Sequence, residues 1–344
     1  MVGAMDTRSL GSSGLQVSAI GLGCLSMAGF YGPSEEREAV RTIQRALDLG
    51  VTLLDTADMY GAGANERLVG KAIAARRDDA VVATKFGNIL DTKGRILSIS
   101  GRPEHVHAAC DASLERLGVD VIDLYQQHRV DPETPIEETV GAMHELVIAG
   151  KVRHLGVGEA LPEDLHRAAA TAPIATLQTE YSLLERAPER EILATCAELG
   201  IGFLAYAPLC RGLLTGAVRS AEFSENDARA SGRYPRLGSG NLERNLALVD
   251  EVSAVAQSHG ATTAQVALAW LLAARPFVVP IPGTTRVEYI EQNAAAVEVR
   301  LEAEELERLD ALVGADRSPA GSRYTPEFMP TWTSPARPSV GRHS

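Results

Sequence analysis

The chain has 344 residues, 45% hydrophobic and 23% charged, with a formal net charge of −12. That composition excludes disordered, collagen-like and long coiled-coil chains and leaves ample apolar material for a core. The acidic balance argues against a nucleic-acid partner or an anionic membrane surface, since either needs a basic patch to meet phosphates.

No apolar run reaches the about 20 residues of a membrane span, and Met1–Leu10 lacks the pattern of a secretory signal. Four scattered cysteines, Cys24, Cys110, Cys196 and Cys210, form no CxxC pair. A cytoplasmic chain with reduced thiols is therefore expected.

The first element in chain order, Thr7–Val17, has Ser12-Ser13-Gly14 near its centre and reads as a small hairpin. Short apolar or β-branched runs then alternate with stretches of helical spacing. Strand Ser18–Gly23 is followed by helix Glu35–Leu49, strand Thr52–Thr56 by helix Glu66–Ala75, and strand Val81–Lys85 by helix Pro103–Leu117. Strand Val121–Gln127 precedes helix Ile136–Ala149, strand Val152–Val157 precedes helix Glu163–Ala170, and strand Ala175–Thr179 precedes helix Glu189–Leu199. Strand Gly202–Ala207 leads to helices Leu242–Ala256 and Thr263–Ala274, and strand Phe277–Ile281 to helix Val287–Ala295.

Gly50, Gly118, Gly150 and Gly200 stand just past helical patterns, where a left-handed residue closes the last turn, and Pro103 and Pro162 suit first turns. Eight strands with helical crossovers predict an α/β fold, a (β/α)₈ TIM barrel, with the hairpin capping its floor. The Gly-, Ser- and Arg-rich stretch Arg211–Asn241 reads as a long mobile loop between the seventh and eighth strands. From Ser318 onward the chain reads as a partly ordered extension of one domain spanning 1–344.

Active sites of such barrels lie at the C-terminal strand ends. Asp55, Lys85 and His128 end the second, third and fourth strands, and Tyr60 follows in the loop after the second. Hydride delivery to a carbonyl builds negative charge on oxygen, which a positioned acid must quench. A phenol with a pKa of about 10 becomes a stronger acid beside an ammonium, so Lys85 is expected to lower Tyr60 while Asp55 keeps Lys85 charged. His128 either donates a hydrogen bond to the substrate oxygen or relays the proton.

Each residue also has a plainer reading. Asp55 and Lys85 could be an interior ion pair, Tyr60 a packing residue and His128 scaffolding. A Schiff-base role for Lys85 conflicts with the neighbouring carboxylate. The only close histidine pair, His105 and His107, has spacing that puts the two on different helix faces, so no metal is expected.

At these residues the chain strongly resembles the aldo-keto reductase family. The resemblance rests on Asp55-Thr56-Ala57-Asp58-Met59-Tyr60-Gly61, Asn65-Glu66, Ala83-Thr84-Lys85-Phe86-Gly87 and Asp123-Leu124-Tyr125-Gln126-Gln127-His128. Gly150-Lys151-Val152-Arg153, Gln178-Thr179-Glu180-Tyr181-Ser182 and Ile281-Pro282-Gly283-Thr284 extend it from about Thr7 to about Met329.

The resemblance implies the catalytic set Asp55, Tyr60, Lys85 and His128, a small-molecule carbonyl substrate, and NADPH/NADP+ laid across the barrel mouth. No GxGxxG opens a helix after a strand, so a Rossmann fingerprint is absent from the sequence. By the resemblance, Gly23, Cys24 and Asp55 would contact the cofactor, Gln178 would hold the nicotinamide amide, and Tyr206 would stack on its ring. Leu209 and Arg211 would meet the pyrophosphate. Gly283, Thr284 and Arg286 would take the adenosine 2′-phosphate, with Gln292 and Asn293 near the adenine.

The resemblance also implies that Gly158, Glu159 and Ala207 contact the cofactor, with departures from the family pattern at Gly158-Glu159, where a frequent Ser-Asn binds the nicotinamide amide and the glutamate suits one branch, at Ala207 in place of a serine, and at Cys210 in place of a glycine. Some relatives serve as NADPH-binding regulatory subunits, which is the alternative to a reductase. Substrate identity and oligomeric state are not written in these motifs.

Overall fold

Eight parallel strands form the inner layer of the computed structural model, which describes residues 5–92, 94–314 and 317–326. In chain order the strands are β1 Thr7–Ser9, β2 Gln16–Ser18, β3 Leu22–Gly23, β4 Leu53–Asp55, β5 Val81–Phe86, β6 Asn88–Leu90, β7 Ile96–Ile99, β8 Ile122–Gln127, β9 Val152–Gly158, β10 Ile174–Glu180, β11 Gly202–Tyr206 and β12 Val278–Pro280. The helices are α1 Glu36–Asp48, α2 Ala64–Ile73, α3 Pro103–Leu117, α4 Ile136–Ile148, α5 Pro162–Thr171, α6 Ile192–Leu199, α7 Asn241–Ser258, α8 Thr263–Ala274, α9 Val287–Ala294 and α10 Ala303–Asp310.

The sheet runs β12-β11-β10-β9-β8-β5-β4-β3. It closes on itself where Gly21 and Gly23 donate to the carbonyls of Pro280 and Pro282, and Gly23 bridges Gly283 in parallel. The (β/α)₈ barrel is thus the observed fold. Helices bury the outer face of the sheet and barrel closure buries the inner one, which is why these strands are apolar on successive residues instead of alternating.

Two apolar layers result. The outer one, between sheet and helices, includes Ile43, Val69, Tyr125, Met143, Leu177 and Trp270. The inner one, Leu53, Ala83, Leu124, Ala175, Leu204 and Val279, fills the barrel and is stoppered below by Leu10, Leu15 and Val17 of the β1–β2 hairpin. With the floor plugged, polar side chains collect at the other end.

The four helix-ending glycines adopt positive φ, 78° at Gly50, 64° at Gly118, 73° at Gly150 and 65° at Gly200. Differences from the sequence reading are local. The first barrel strand is Leu22–Gly23 alone, because Ser18 is spent pairing with Thr7 in the hairpin. A second hairpin, β6–β7, stands where the sequence reading had only loop, and α10 was not anticipated. The stretch 211–241 is not featureless: it carries three 3₁₀ turns, Cys210–Thr215, Ala228–Ser231 and Pro235–Leu237, and buries Leu213, Leu214, Tyr234 and Leu237. Of the expected extension, residues 318–326 pack against the barrel; the remainder lies outside the described residues.

Candidate active site

Strand register decides which groups share the barrel mouth. Asp55 pairs with Gly23 and Ala83, Lys85 with Gln126, and His128 follows the last residue of β8. Asp55 and Lys85 are buried together. The Lys85 Nζ donates to Asp55 Oδ1 at 2.5 Å and to the Thr56 carbonyl at 2.7 Å. The second Asp55 oxygen accepts from Gln178 Nε2 at 2.8 Å and from Gln126 Nε2 at 3.4 Å.

Tyr60 completes the group: its ring centroid lies 5.3 Å from Lys85 Nζ and 5.9 Å from the His128 ring, which meets it edge-on at 78°. Asn65 fixes the Tyr60 loop from behind, since it accepts from Thr56 Oγ1 at 2.7 Å and donates to the Cys24 carbonyl at 3.0 Å. The structure therefore gathers all four expected catalytic residues at one end of the barrel.

Their electrostatics differ from the expectation at one point. Burial pushes the Tyr60 phenol well above its ordinary value, Asp55 adds to that rise, and the Arg129 cation opposes it. An ammonium about 5 Å away is worth about 3 kcal/mol to a phenolate at an effective dielectric of 20. With a carboxylate against its nitrogen, Lys85 acts on the phenol as half of a dipole, so burial prevails. In the resting site Tyr60 is therefore a protonated donor, its half-buried phenol held above the ordinary range.

His128 is pushed well below the ordinary histidine range by burial, then by Lys85 and Arg129, so it is neutral and its Nδ1 has no hydrogen-bond partner. A neutral imidazole offers one N–H and cannot serve as a resting-state acid. Asp58, two residues before Tyr60, is pushed up to about 7 by burial and the nearby Glu66 charge, and its Oδ1 has no partner. Glu66 itself is fully buried, accepting from Thr84 Oγ1 at 2.6 Å and Arg116 Nε at 2.5 Å.

A second charged group fills the opposite side of the mouth. Arg211 grips Glu180 with both terminal nitrogens, each at 2.6 Å, and donates to the Tyr324 hydroxyl at 2.8 Å. Arg323 donates to Glu159 Oε2 at 2.7 Å and stands 3.3 Å from Glu180 Oε2. Tyr206 OH lies 3.5 Å from Arg129 Nη2 and 3.4 Å from the Tyr324 hydroxyl. Backbone strain collects here as well: Glu159, Ala207, Cys210 and Arg211 adopt φ values of 53°, 46°, 48° and 56°, a left-handed region unusual for side-chain-bearing residues.

Two surface cavities, of about 340 and 280 Å³, open at the barrel floor; none of the four mouth residues lines them. Among the described residues no cluster of three or more metal-ligating side chains occurs, and no helix is long and apolar enough to cross a membrane.

The model of the aldo/keto reductase family matches residues 19–313. The chain belongs to the aldo-keto reductase family. A probable aldo-keto reductase of Glycine max is 42% identical over 317 residues, covering 92% of this chain and 90% of that protein. Among solved structures, the glycerol dehydrogenase AKR11B4 of Gluconobacter oxydans superposes with a TM-score of 0.83 at 33% identity, covering 92% of this chain and 97% of its own. An aldo/keto reductase of Klebsiella pneumoniae, solved in complex with NADP and acetate, gives a TM-score of 0.71 at 31% identity, covering 92% and 98%.

The residues that the family pattern assigns to the cofactor divide by position. Gly23, Cys24 and Asp55 are contiguous with the catalytic pair: the Cys24 amide donates to the Asp55 carbonyl at 2.8 Å, and burial pushes the Cys24 thiol up to about 12. Gln178 spends its amide nitrogen on Asp55 and keeps its carbonyl oxygen. Gly158 has a steric reason, because a Cβ there would stand 2.3 Å from the His128 carbonyl oxygen. The serine frequent at this position does not fit unless the backbone of His128 moves.

Glu159 donates its backbone amide to Gln178 at 2.9 Å, and Ala207 and Leu209 shape the turn after β11, where Leu209 accepts from the Gly212 amide at 3.0 Å. Arg211 differs from the expectation: its guanidinium is buried against Glu180 and the rings of Tyr234 and Tyr324. Gly283, Thr284 and Arg286 lead into α9, the Arg286 amide donating to Thr284 Oγ1 at 3.1 Å with its side chain exposed. Gln292 and Asn293 follow on the same helix, Asn293 buried.

Sequence reasoning missed Arg129, Glu180, Arg323 and Tyr324 as site residues. Arg129 was signalled by its place just after His128 at a strand end; Arg323 and Tyr324 carried no such signal.

Proposed function

We propose that this aldo-keto reductase reduces aldehydes or ketones to alcohols with NADPH, and that Tyr60 supplies the proton. The observation that carries the reading is the buried Lys85–Asp55 pair beside a protonated Tyr60 and a neutral His128 at one barrel mouth.

The donor set fits a nicotinamide dinucleotide. Gln178 retains an acceptor for an amide N–H, Tyr206 offers a ring, and Ser26 keeps a buried hydroxyl without a partner beside Gly283. The N-terminus of α9, with exposed Arg286 at its cap, suits a phosphate. The Klebsiella pneumoniae relative was solved with NADP. When bound, NADPH supplies hydride to the carbonyl carbon.

The chain's own residues handle the oxygen. The single N–H of neutral His128 donates to the carbonyl oxygen and polarises it. Tyr60 passes its phenolic proton to that oxygen, giving the alcohol and leaving a phenolate. The Lys85 ammonium meets the new phenolate charge, and Asp55, held by two glutamine amides, keeps that ammonium in place. Solvent then restores the phenolic proton.

A panel of aldehydes and ketones assayed with NADPH and NADH tests the reading. Carbonyl-dependent oxidation, faster with NADPH, is expected. Tight NADPH binding with no turnover over a broad panel would favour a regulatory, non-catalytic role.

A further inference from the structure

The C-terminal segment crosses the barrel mouth on a built anchorage. Fully buried Asn245 of α7 both donates to the Ala320 carbonyl at 3.0 Å and accepts from its amide at 2.7 Å. Gly321 turns with φ 84° where a Cβ would meet the Pro235 carbonyl carbon at 2.8 Å, and the Thr325 amide donates to the Arg233 carbonyl at 3.2 Å. This anchorage carries Arg323 and Tyr324 inward, leaving Tyr324 only 5% exposed.

Arg323 then ends on Glu159, the residue next to the close backbone approach at Gly158. Glu159 has a backbone that glycine or asparagine would hold more cheaply. Its carboxylate receives the Glu180 amide at 3.3 Å on one oxygen and Arg323 on the other, with the Tyr206 hydroxyl also bonded to it, which leaves a lone pair for one further donor.

Building on the functional reading above, we propose that Arg323 is a positioning residue for the cofactor site: it aims the Glu159 carboxylate at the amide N–H of the nicotinamide carboxamide. The family pattern places residue 159 by that amide; nothing in the pattern supplies Arg323. The Glu159 amide is itself bonded to the Gln178 backbone, so the carboxylate that Arg323 holds belongs to the same strand ends as the Gln178 amide.

The groups facing Glu159 explain why a cation is needed. Burial raises a carboxylate, whereas Arg323 first, then Arg129, bring Glu159 below its ordinary range, with the Tyr206 hydroxyl adding a hydrogen bond. Glu180, a like charge on the neighbouring strand, is held down by Arg211, with Arg323 contributing. Without Arg323, burial gains on the remaining cation, and Glu159 takes up a proton at a higher pH.

The experiment measures NADPH dissociation constants from pH 8 to pH 6 for the wild type, Arg323→Met and Arg323→Lys. A parallel series uses the reduced 3-acetylpyridine analogue of NADPH, which lacks the amide N–H. For Arg323→Met, the ratio of variant to wild-type constants with NADPH is expected to rise as pH falls, by up to about tenfold per pH unit once Glu159 takes up its proton. With the analogue the ratio stays flat, and binding of the analogue shows that the variant is folded. Arg323→Lys keeps the charge and holds the NADPH ratio near flat.

A ratio independent of pH, or one that rises equally for both cofactors, would overturn the positioning role. Failure of the wild type to bind NADPH would instead strike the functional reading, and the proposal with it.

Discussion

The two charged groups at the barrel mouth solve the burial of charge differently. On one side a single ammonium meets a single carboxylate, with Gln178 and Gln126 amides satisfying the remaining oxygen. On the other, Arg211 and Arg323 share Glu180, Arg323 also holds Glu159, and Arg129 stands nearby. The first has no substitute for any member; the second is redundant. A lone pair depends on one partner at each end, whereas a network spreads its charge over several strand ends and the C-terminal segment.

The largest effect should come from the pair. Lys85→Met strands Asp55 in a buried site and is expected to lower unfolding free energy by about 3–5 kcal/mol in denaturant titration. Arg211→Met should cost less, about 2–3 kcal/mol, because Glu180 retains Arg323 while losing two charge-assisted hydrogen bonds. If the two losses prove equal, the network is not redundant and the comparison breaks.

The pH dependence sharpens the contrast. His128 is lowered in the folded state, so its contribution to stability is present above about pH 6.5 and is lost as pH falls toward its folded value. The slope reaches at most about 1.4 kcal/mol per pH unit, and His128→Asn should flatten it in urea titrations between pH 6.5 and pH 5. Asp58 has the opposite sign. Raised to about 7, it favours the folded state fully only below its unfolded value near 3.8, and that contribution is lost as pH rises through 7. Asp58→Asn should therefore gain about 1 kcal/mol or more at pH 8 and nothing at pH 4.

These two regions were also unequally legible in the sequence. Asp55, Lys85 and His128 end strands whose apolar runs announce themselves, and parallel register then brings strand ends together without further information. Gly158 and the capping glycines were visible as residues, although the steric reason for Gly158, the approach of the His128 carbonyl, needed coordinates.

The network was hidden because its members come from Glu159, Glu180, Arg211 and a terminal segment without periodicity. Nothing in Ser318–Tyr324 shows that an asparagine on α7 captures the backbone of Ala320. The same gap produced the Arg211 expectation: a loop arginine was matched to a phosphate because its partner, Glu180, could not be seen. For Tyr60, spacing gives proximity to Lys85 but not the loss of solvent around the phenol, which acts against the ammonium. The β6–β7 hairpin escaped because Asn88–Leu90 and Ile96–Ile99 are short and only partly alternating.

The most direct test of the account is the single-turnover rate of NADPH oxidation by Tyr60→Phe, with a carbonyl substrate that the wild type reduces and with NADPH affinity measured alongside. The phenyl ring keeps the packing against His128 and removes the one proton the reaction needs. A rate lowered by about 10²–10⁴-fold with NADPH affinity unchanged is the predicted result. A rate close to that of the wild type would show that the proton reaches the substrate oxygen from another group.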